Sequence, residues 1–260
     1  MNTEGLLEVA GLTKSFMGLQ AVNDLTFSVP RGRVVGLIGP NGAGKTTVFN
    51  LITRVLRADR GSVRLDGREL TSLPPHEVNK CGVARTFQNI RLFPGFSVLE
   101  NVLWTLSTRA QYGLVQSILA APAVRAEEKR VLEEACELLK TAGLYDRRFD
   151  KARTLSYGDQ RRLELVRALA TKPRLLLLDE PTAGMNPTET SGFADHLRYL
   201  NAEGTTILLI EHDMRFVMGL SDKVIVLNHG SKIAEGIPAE VRVNEAVISA
   251  YLGRAKNAAG

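Results

Sequence analysis

Two short stretches of the chain, more than a hundred residues apart, each carry what an anion needs. The first is Gly39-Pro40-Asn41-Gly42-Ala43-Gly44-Lys45-Thr46, which fits GxxxxGK[ST] and is followed by Thr47. Its glycines let successive backbone N–H groups curl around phosphate oxygens. Lys45 is spaced to reach β- and γ-phosphates, Thr46 to ligate Mg2+, and Thr47 to reach an α-phosphate oxygen. The second stretch is "LSYGDQ", Leu155 to Gln160, where Ser156 and Gly158 sit in a small loop opening onto a helix. Free N–H groups and the dipole at such an end also favour an anion.

Carboxylates complete the set. The run "RLLLLDEP" ends in Asp179, suited to holding Mg2+ through water, and Glu180, suited to orienting and polarising an attacking water. Three single residues are weaker alone. Gln88 in "RTFQN" could sense Mg2+ or the lytic water. His212 in "LLIEHD" stands at a strand end, at a height to reach a γ-phosphate. Phe16 in "KSFMG" offers a ring for adenine. Together they describe phosphoryl transfer from a nucleoside triphosphate to water.

These residues need a scaffold that brings loop ends to one edge. The runs 34–39, 175–179 and 205–210 are apolar on both faces, as strands inside a parallel sheet are. The runs 6–10, 25–29 and 62–66 alternate more, which predicts an antiparallel sheet, and "KVIVL" at 223–227 adds a further strand. Asp66-Gly67 and Asn228-His229-Gly230 read as hairpin turns. One helical stripe runs Val48, Leu51, Ile52, Val55, Leu56. A second runs Val131, Leu132, Ala135, Leu138, Leu139, Ala142 and stops at Gly143, and a third holds Phe193, Leu197 and Leu200 before Gly204. The fold class predicted is α/β: a mostly parallel core, an N-terminal antiparallel β subdomain and an inserted α-helical subdomain over roughly residues 90–160. The ending "RAKNAAG" reads as a loose tail.

Composition excludes more than it selects. The chain has 260 residues, 44% hydrophobic and 23% charged, enough for a sizeable core. No secretory signal is visible, and no apolar run approaches the roughly 20 residues of a membrane helix. Cys81 and Cys136 lack metal or CxxC spacing, which favours a reduced intracellular chain. The net charge of +5 suits nucleotides, nucleic acid or an anionic leaflet, and equally a plain basic surface.

Taken in order, Phe16, Gly39–Thr47, Gln88, "LSYGDQ", "LLLLDEP" and His212 resemble the nucleotide-binding subunits of ABC transporters. The resemblance covers about residues 6–240, with 241–260 left as a C-terminal helix and tail. It implies a P-loop NTPase with a RecA-like core that binds ATP and Mg2+. It also implies that the "LSGGQ" loop of one subunit closes on the γ-phosphate held by another, so that two subunits, alike or different, share two nucleotides. The signature departs from the family at Tyr157 and Asp159 and keeps Ser156 and Gly158. A carboxylate facing a triphosphate is repulsive, so Asp159 is expected to point away. "AGMNP", Ala183 to Pro187, resembles the loop that touches the opposing subunit, with Asn186 where Asp is commoner.

"GVARTFQNIRLFPGFSVLENV", "DEPTAGMNPTET", "IEHDMRFVM" and "AVISAYLG" resemble more narrowly the ATP-binding subunit of branched-chain amino-acid uptake systems. That implies a prokaryotic protein peripheral to the cytoplasmic face of the inner or plasma membrane. Its implied partners are a second ATP-binding subunit, integral-membrane permeases and, indirectly, a periplasmic or extracellular solute-binding protein. Related systems serve urea, other amino acids or amides, or lipopolysaccharide export. Ile90, Leu92, Phe93 and Phe96 offer apolar surface for a permease or pack on the insertion's own helices; Trp104 is read as core, and 112–124 as a further contact. A DNA-repair or chromosome ATPase needs a long coiled coil or zinc modules in the insertion. Lys45 and Ser156 are only 111 positions apart, without heptads or cysteine clusters between them, so no nucleic-acid partner is expected. A ribosome-associated factor of this superfamily has two cassettes, and a P-loop kinase leaves "LSYGDQ", Glu180 and His212 unexplained.

Overall fold

The computed structural model describes residues 5–107 and 121–257. They form two compact units, one of residues 5–85, 174–181 and 197–257, the other of 86–107, 121–173 and 182–196.

The first unit holds two sheets. Strands β3 (Val34–Ile38), β7 (Leu175–Asp179) and β8 (Thr206–Ile210) are buried along their whole length, as residues apolar on both faces require. With β6 (Val83–Arg85), β9 (Lys223–Asn228) and β10 (Ser231–Gly236) they make a sheet in the order β10-β9-β3-β8-β7-β6, parallel except for β10. The second sheet is antiparallel, β2-β1-β4-β5, from β1 (Gly5–Phe16), β2 (Leu19–Pro30), β4 (Arg60–Leu65) and β5 (Arg68–Glu69). Both predicted hairpin turns form. Asp66 and Gly67 have φ +52° and +75°, His229 and Gly230 +45° and +79°, the paired positive values of a tight two-residue turn.

Helix α1 (Lys45–Ile52) follows β3 directly. Its Val48, Phe49 and Ile52 share one core cluster with Leu7, Val9 and Phe27 of the antiparallel sheet and Val35, Leu37 and Leu208 of the parallel one. The stripe predicted to continue to Leu56 stops earlier. The helix ends at Ile52, Arg54 turns to φ +62°, and Val55 is exposed, while Leu56 still packs on the core from a loop. Shorter helices α2 (Pro75–Lys80), α7 (Met214–Leu220) and α8 (Pro238–Arg242) complete this unit with α9 (Glu245–Asn257). The predicted loose tail is therefore helical from Arg254 to Asn257.

The second unit is helical: α3 (Val98–Ser107), α4 (Ala121–Thr141) and α5 (Tyr157–Leu169), joined by the start of α6 (Pro187–Ala202). Val98, Val102 and Leu106 pack with Ala135, Leu139, Leu163 and Val166. Leu132, read as part of the buried stripe, is exposed. Trp104 is not core either. It is 52% exposed and meets Phe93 and Phe96 edge-on, at 5.7 and 6.2 Å between ring centres. Residues 112–120 of the other suggested contact lie outside the described residues. No helix among the described residues is long and apolar enough to cross a membrane.

His196 gives this unit an acid-sensitive point. Burial, with the Arg162 charge nearby, lowers its pKa from 6.5 to about 4, and its Nε2 is buried without a hydrogen-bond partner. The folded state thus disfavours the proton, which the unfolded chain accepts below pH 6.5. Stability is complete above pH 6.5 and falls as pH drops towards 4. Between pH 7.5 and 5 this one group should remove about 2 kcal/mol. Urea midpoints at the two pH values should show it, and His196→Gln should abolish that share of the difference.

Candidate functional site

The phosphate loop is built by steric necessity. Gly39 follows β3 at φ +153°, and a Cβ there would lie 2.2 Å from the Leu227 carbonyl oxygen. Gly44, at φ +97°, would place one 2.3 Å from the Ala21 carbonyl oxygen. Only glycine fits either position. The loop is pinned from outside by the β9–β10 turn, where Gly230 N–H donates to Ala43 O at 3.1 Å, and from inside by Lys45. Lys45 is buried, its Nζ donating to Gly39 O at 2.7 Å and Pro40 O at 3.0 Å, so a cation sits within the curl. Pro40 and Ala43 are buried, while Asn41, Gly42 and Thr46 are exposed and Thr47 half-buried. No side chain caps α1 and no acidic residue occupies its first turn. That combination of donors, dipole and cation suits a phosphate chain.

Asp179 and Glu180 close β7, two strands from the loop in the same sheet. Asp179 is buried and takes a 2.6 Å ion pair from Arg85 Nη2 to its Oδ2. Glu180 has φ +49°, a conformation costing a non-glycine residue about 1–2 kcal/mol. Its N–H donates to Ile210 O at 2.9 Å, and its Oε1 lies 2.6 Å from Nε2 of His212. His212 is carried by the next strand, β8, whose end continues into α7. Asp213 caps that helix by accepting from the N–H groups of Arg215 and Phe216. So the two residues assigned separately to water activation and γ-phosphate sensing are hydrogen-bonded to each other. Phe16 ends β1, 42% exposed, with Lys14 Nζ 5.5 Å from its ring centre.

The other candidates belong to the second unit. Ser156 is the N-cap of α5, its Oγ accepting from Asp159 N–H at 3.1 Å. Gly158 is packed so tightly that a Cβ would meet the Glu189 carboxylate at 2.6 Å. Gln88 is exposed, and its carbonyl accepts from Arg161. Asp159 is turned to Arg147 and Arg162, at 3.1 and 3.3 Å. Asn186 caps α6 in a reciprocal pair with Glu189, which its Asn side chain makes as an Asp would.

A family model described as "ABC transporter" matches residues 22–183, which span both the phosphate loop and Asp179–Glu180. The chain belongs to the ABC transporter family. As ATPase subunits of this kind go, it is 45% identical over 251 residues to BraF of Pseudomonas aeruginosa, a high-affinity branched-chain amino acid transport ATP-binding protein, covering 96% of this chain and 98% of that one. It is 44% identical to LivG of Escherichia coli K12, similarly described, over 97% and 100% of the two chains. A second family model, "Branched-chain amino acid ATP-binding cassette transporter", matches residues 231–257. Among solved structures, the ADP conformation of MJ1267, an ATP-binding cassette of an ABC transporter, superposes with TM-score 0.84 at 33% identity, covering 96% and 100%. MJ0796, dimeric and bound to ADP and Pi, gives 0.75 at 26% identity, covering 89% and 98%.

Two residues of this ABC subunit escaped sequence reasoning. Arg85 joins three elements: besides Asp179 it donates to Asn50 of α1 at 2.7 Å and lies 5.5 Å from the Phe49 ring centre. Tyr251 of α9, within the segment matched by the second family model, accepts from the Gly39 backbone N–H, and burial pushes its hydroxyl pKa up. The site fits ATP with Mg2+. Asp179 brings a carboxylate, paired through Oδ2 with Arg85, to the end of β7, and the exposed Thr46 brings a hydroxyl to the start of α1, the oxygen donors that Mg2+ prefers.

Proposed function

We propose that this chain is the ATP-hydrolysing subunit of an importer for leucine, isoleucine and valine or related neutral amino acids. The observation that carries the chemistry is the Glu180–His212 hydrogen bond of 2.6 Å, held at the end of the strand that also presents Asp179. The solute class rests on 45% and 44% identity to BraF and LivG over nearly the whole chain and on the matched C-terminal segment.

In this reading Gly39–Thr47 cradle the triphosphate, with Lys45 on its β- and γ-phosphates, and Phe16 stacks on adenine. Thr46, Asp179 and Gln88 would hold Mg2+, which when bound would neutralise charge on the phosphates. Glu180 orients the attacking water and takes its proton; His212 fixes the Glu180 carboxylate and reaches the γ-phosphate. Ser156 and Gly158 serve the nucleotide of a second ATP-binding subunit, so that ATP draws the pair together and hydrolysis releases it. The pair sits on the cytoplasmic face of the membrane and moves two permease subunits that receive solute from a binding protein. The Phe93–Phe96–Trp104 group, with its exposed aromatic surface, is the face offered to a permease.

In proteoliposomes with its permeases and binding protein, leucine should raise ATP hydrolysis several-fold and urea should not. Stimulation by urea alone would assign the chain to a related system.

A further inference from the structure

The segment carrying Gln88 has no regular secondary structure, so its backbone groups must find partners elsewhere. Two side chains of α5 supply them. Arg161 and Glu164 are both buried, at 3% and 6% exposure, and form an ion pair of 3.2 Å. Nη1 of Arg161 donates to Phe87 O at 2.7 Å and Nη2 to Gln88 O. Glu164 Oε1 accepts from the Arg91 N–H at 3.3 Å. Within the segment Arg91 stacks on Phe87, 3.8 Å from its ring centre.

The same Nη2 donates to the Tyr157 hydroxyl at 2.9 Å. Tyr157 is the residue that departs from the family signature between Ser156 and Gly158, and its ring also covers Gly184, where a Cβ would touch it at 3.1 Å. One guanidinium therefore binds the signature loop on one side and the Gln88 backbone on the other. A planar fork with five donors can do this, and an ammonium cannot. Burial raises the Glu164 pKa against the pull of Arg161, so the pair is costly to desolvate.

We infer that the Arg161–Glu164 pair is a positioning clamp that makes the Gln88 segment and the Ser156–Gly158 loop move as one body, with Tyr157 as its contact to the signature. Resting on the ATPase reading above, the clamp sets where Gln88 stands when the signature loop engages a neighbour's nucleotide. It touches no nucleotide, so it acts on turnover and not on ATP affinity.

The test is amide hydrogen exchange on the nucleotide-free full chain, together with steady-state ATPase kinetics. Arg161→Lys should raise exchange at 88–91 and at 157–160 together, by about tenfold or more, while residues 34–45 are unchanged. Its kcat should fall about tenfold with KM for ATP within about twofold. Glu164→Gln, which keeps the shape, should do the same more weakly and decides the matter if Arg161→Lys does not fold. Loosening of 88–91 with the signature loop unaffected, or a fall in thermal stability with kcat intact, would overturn the clamp. If the parent chain shows no ATPase activity, the functional reading fails while the exchange result still judges the clamp.

Discussion

Glu180→Gln is expected to bind MgATP as the parent does and to hydrolyse it at least about a hundredfold more slowly. The carboxylate is placed by a left-handed turn at the end of β7 and by His212 Nε2 at 2.6 Å. Glutamine preserves the length and one acceptor oxygen but cannot take a proton from water. General-base catalysis of this kind contributes about 10²- to 10⁴-fold. Binding is spared because the loop's N–H groups and the Lys45 cation, which meet the phosphates, stay in place. Fluorescent-nucleotide titration and phosphate release measure the two quantities separately. Turnover within a factor of a few of the parent would remove Glu180 from its role.

Lys45→Ala should act the other way, by removing affinity. Lys45 is the cation inside the loop, and its two backbone acceptors, Gly39 O and Pro40 O, lose their donor when it goes. A charge-assisted hydrogen bond to phosphate contributes about 1.5–3 kcal/mol, and at least two are at stake. The Kd for MgATP should therefore rise by about a hundredfold or more. The fold should survive, because the loop is also held by Gly230 and by the close approaches at Gly39 and Gly44. Isothermal titration with circular dichroism checks both statements. Parent-like affinity would mean the triphosphate is held elsewhere.

The sequence made the sheet and the phosphate loop legible for the same reason: both depend on local residue types at fixed spacing. Val34–Ile38, Leu175–Asp179 and Thr206–Ile210 announce buried strands because every residue must be covered. What stayed hidden depends on distant pairing. Arg85 reaches Asp179 across 94 residues, from a strand only three residues long. Tyr251 meets Gly39 from the far end of the chain. Arg161 and Glu164 look like ordinary charged helix positions, and nothing in their spacing says that they are buried around a loop. The misread apolar residues have a common cause as well. Periodicity does not tell a residue that packs from a loop, as Leu56 does, from one within the helix, nor a core aromatic from the exposed Trp104.

In the proposed pair, Ser156 of one subunit completes the nucleotide site of another. The direct measurement is disulfide cross-linking in a Glu180→Gln background with Cys81 and Cys136 replaced. Ser156→Cys on one chain is paired with Asn41→Cys on a second copy, or with the matching cysteine of a partner ATP-binding subunit. A cross-link between chains should form with MgATP and be lost with ADP. A cross-link indifferent to nucleotide, or none with MgATP bound, would contradict it.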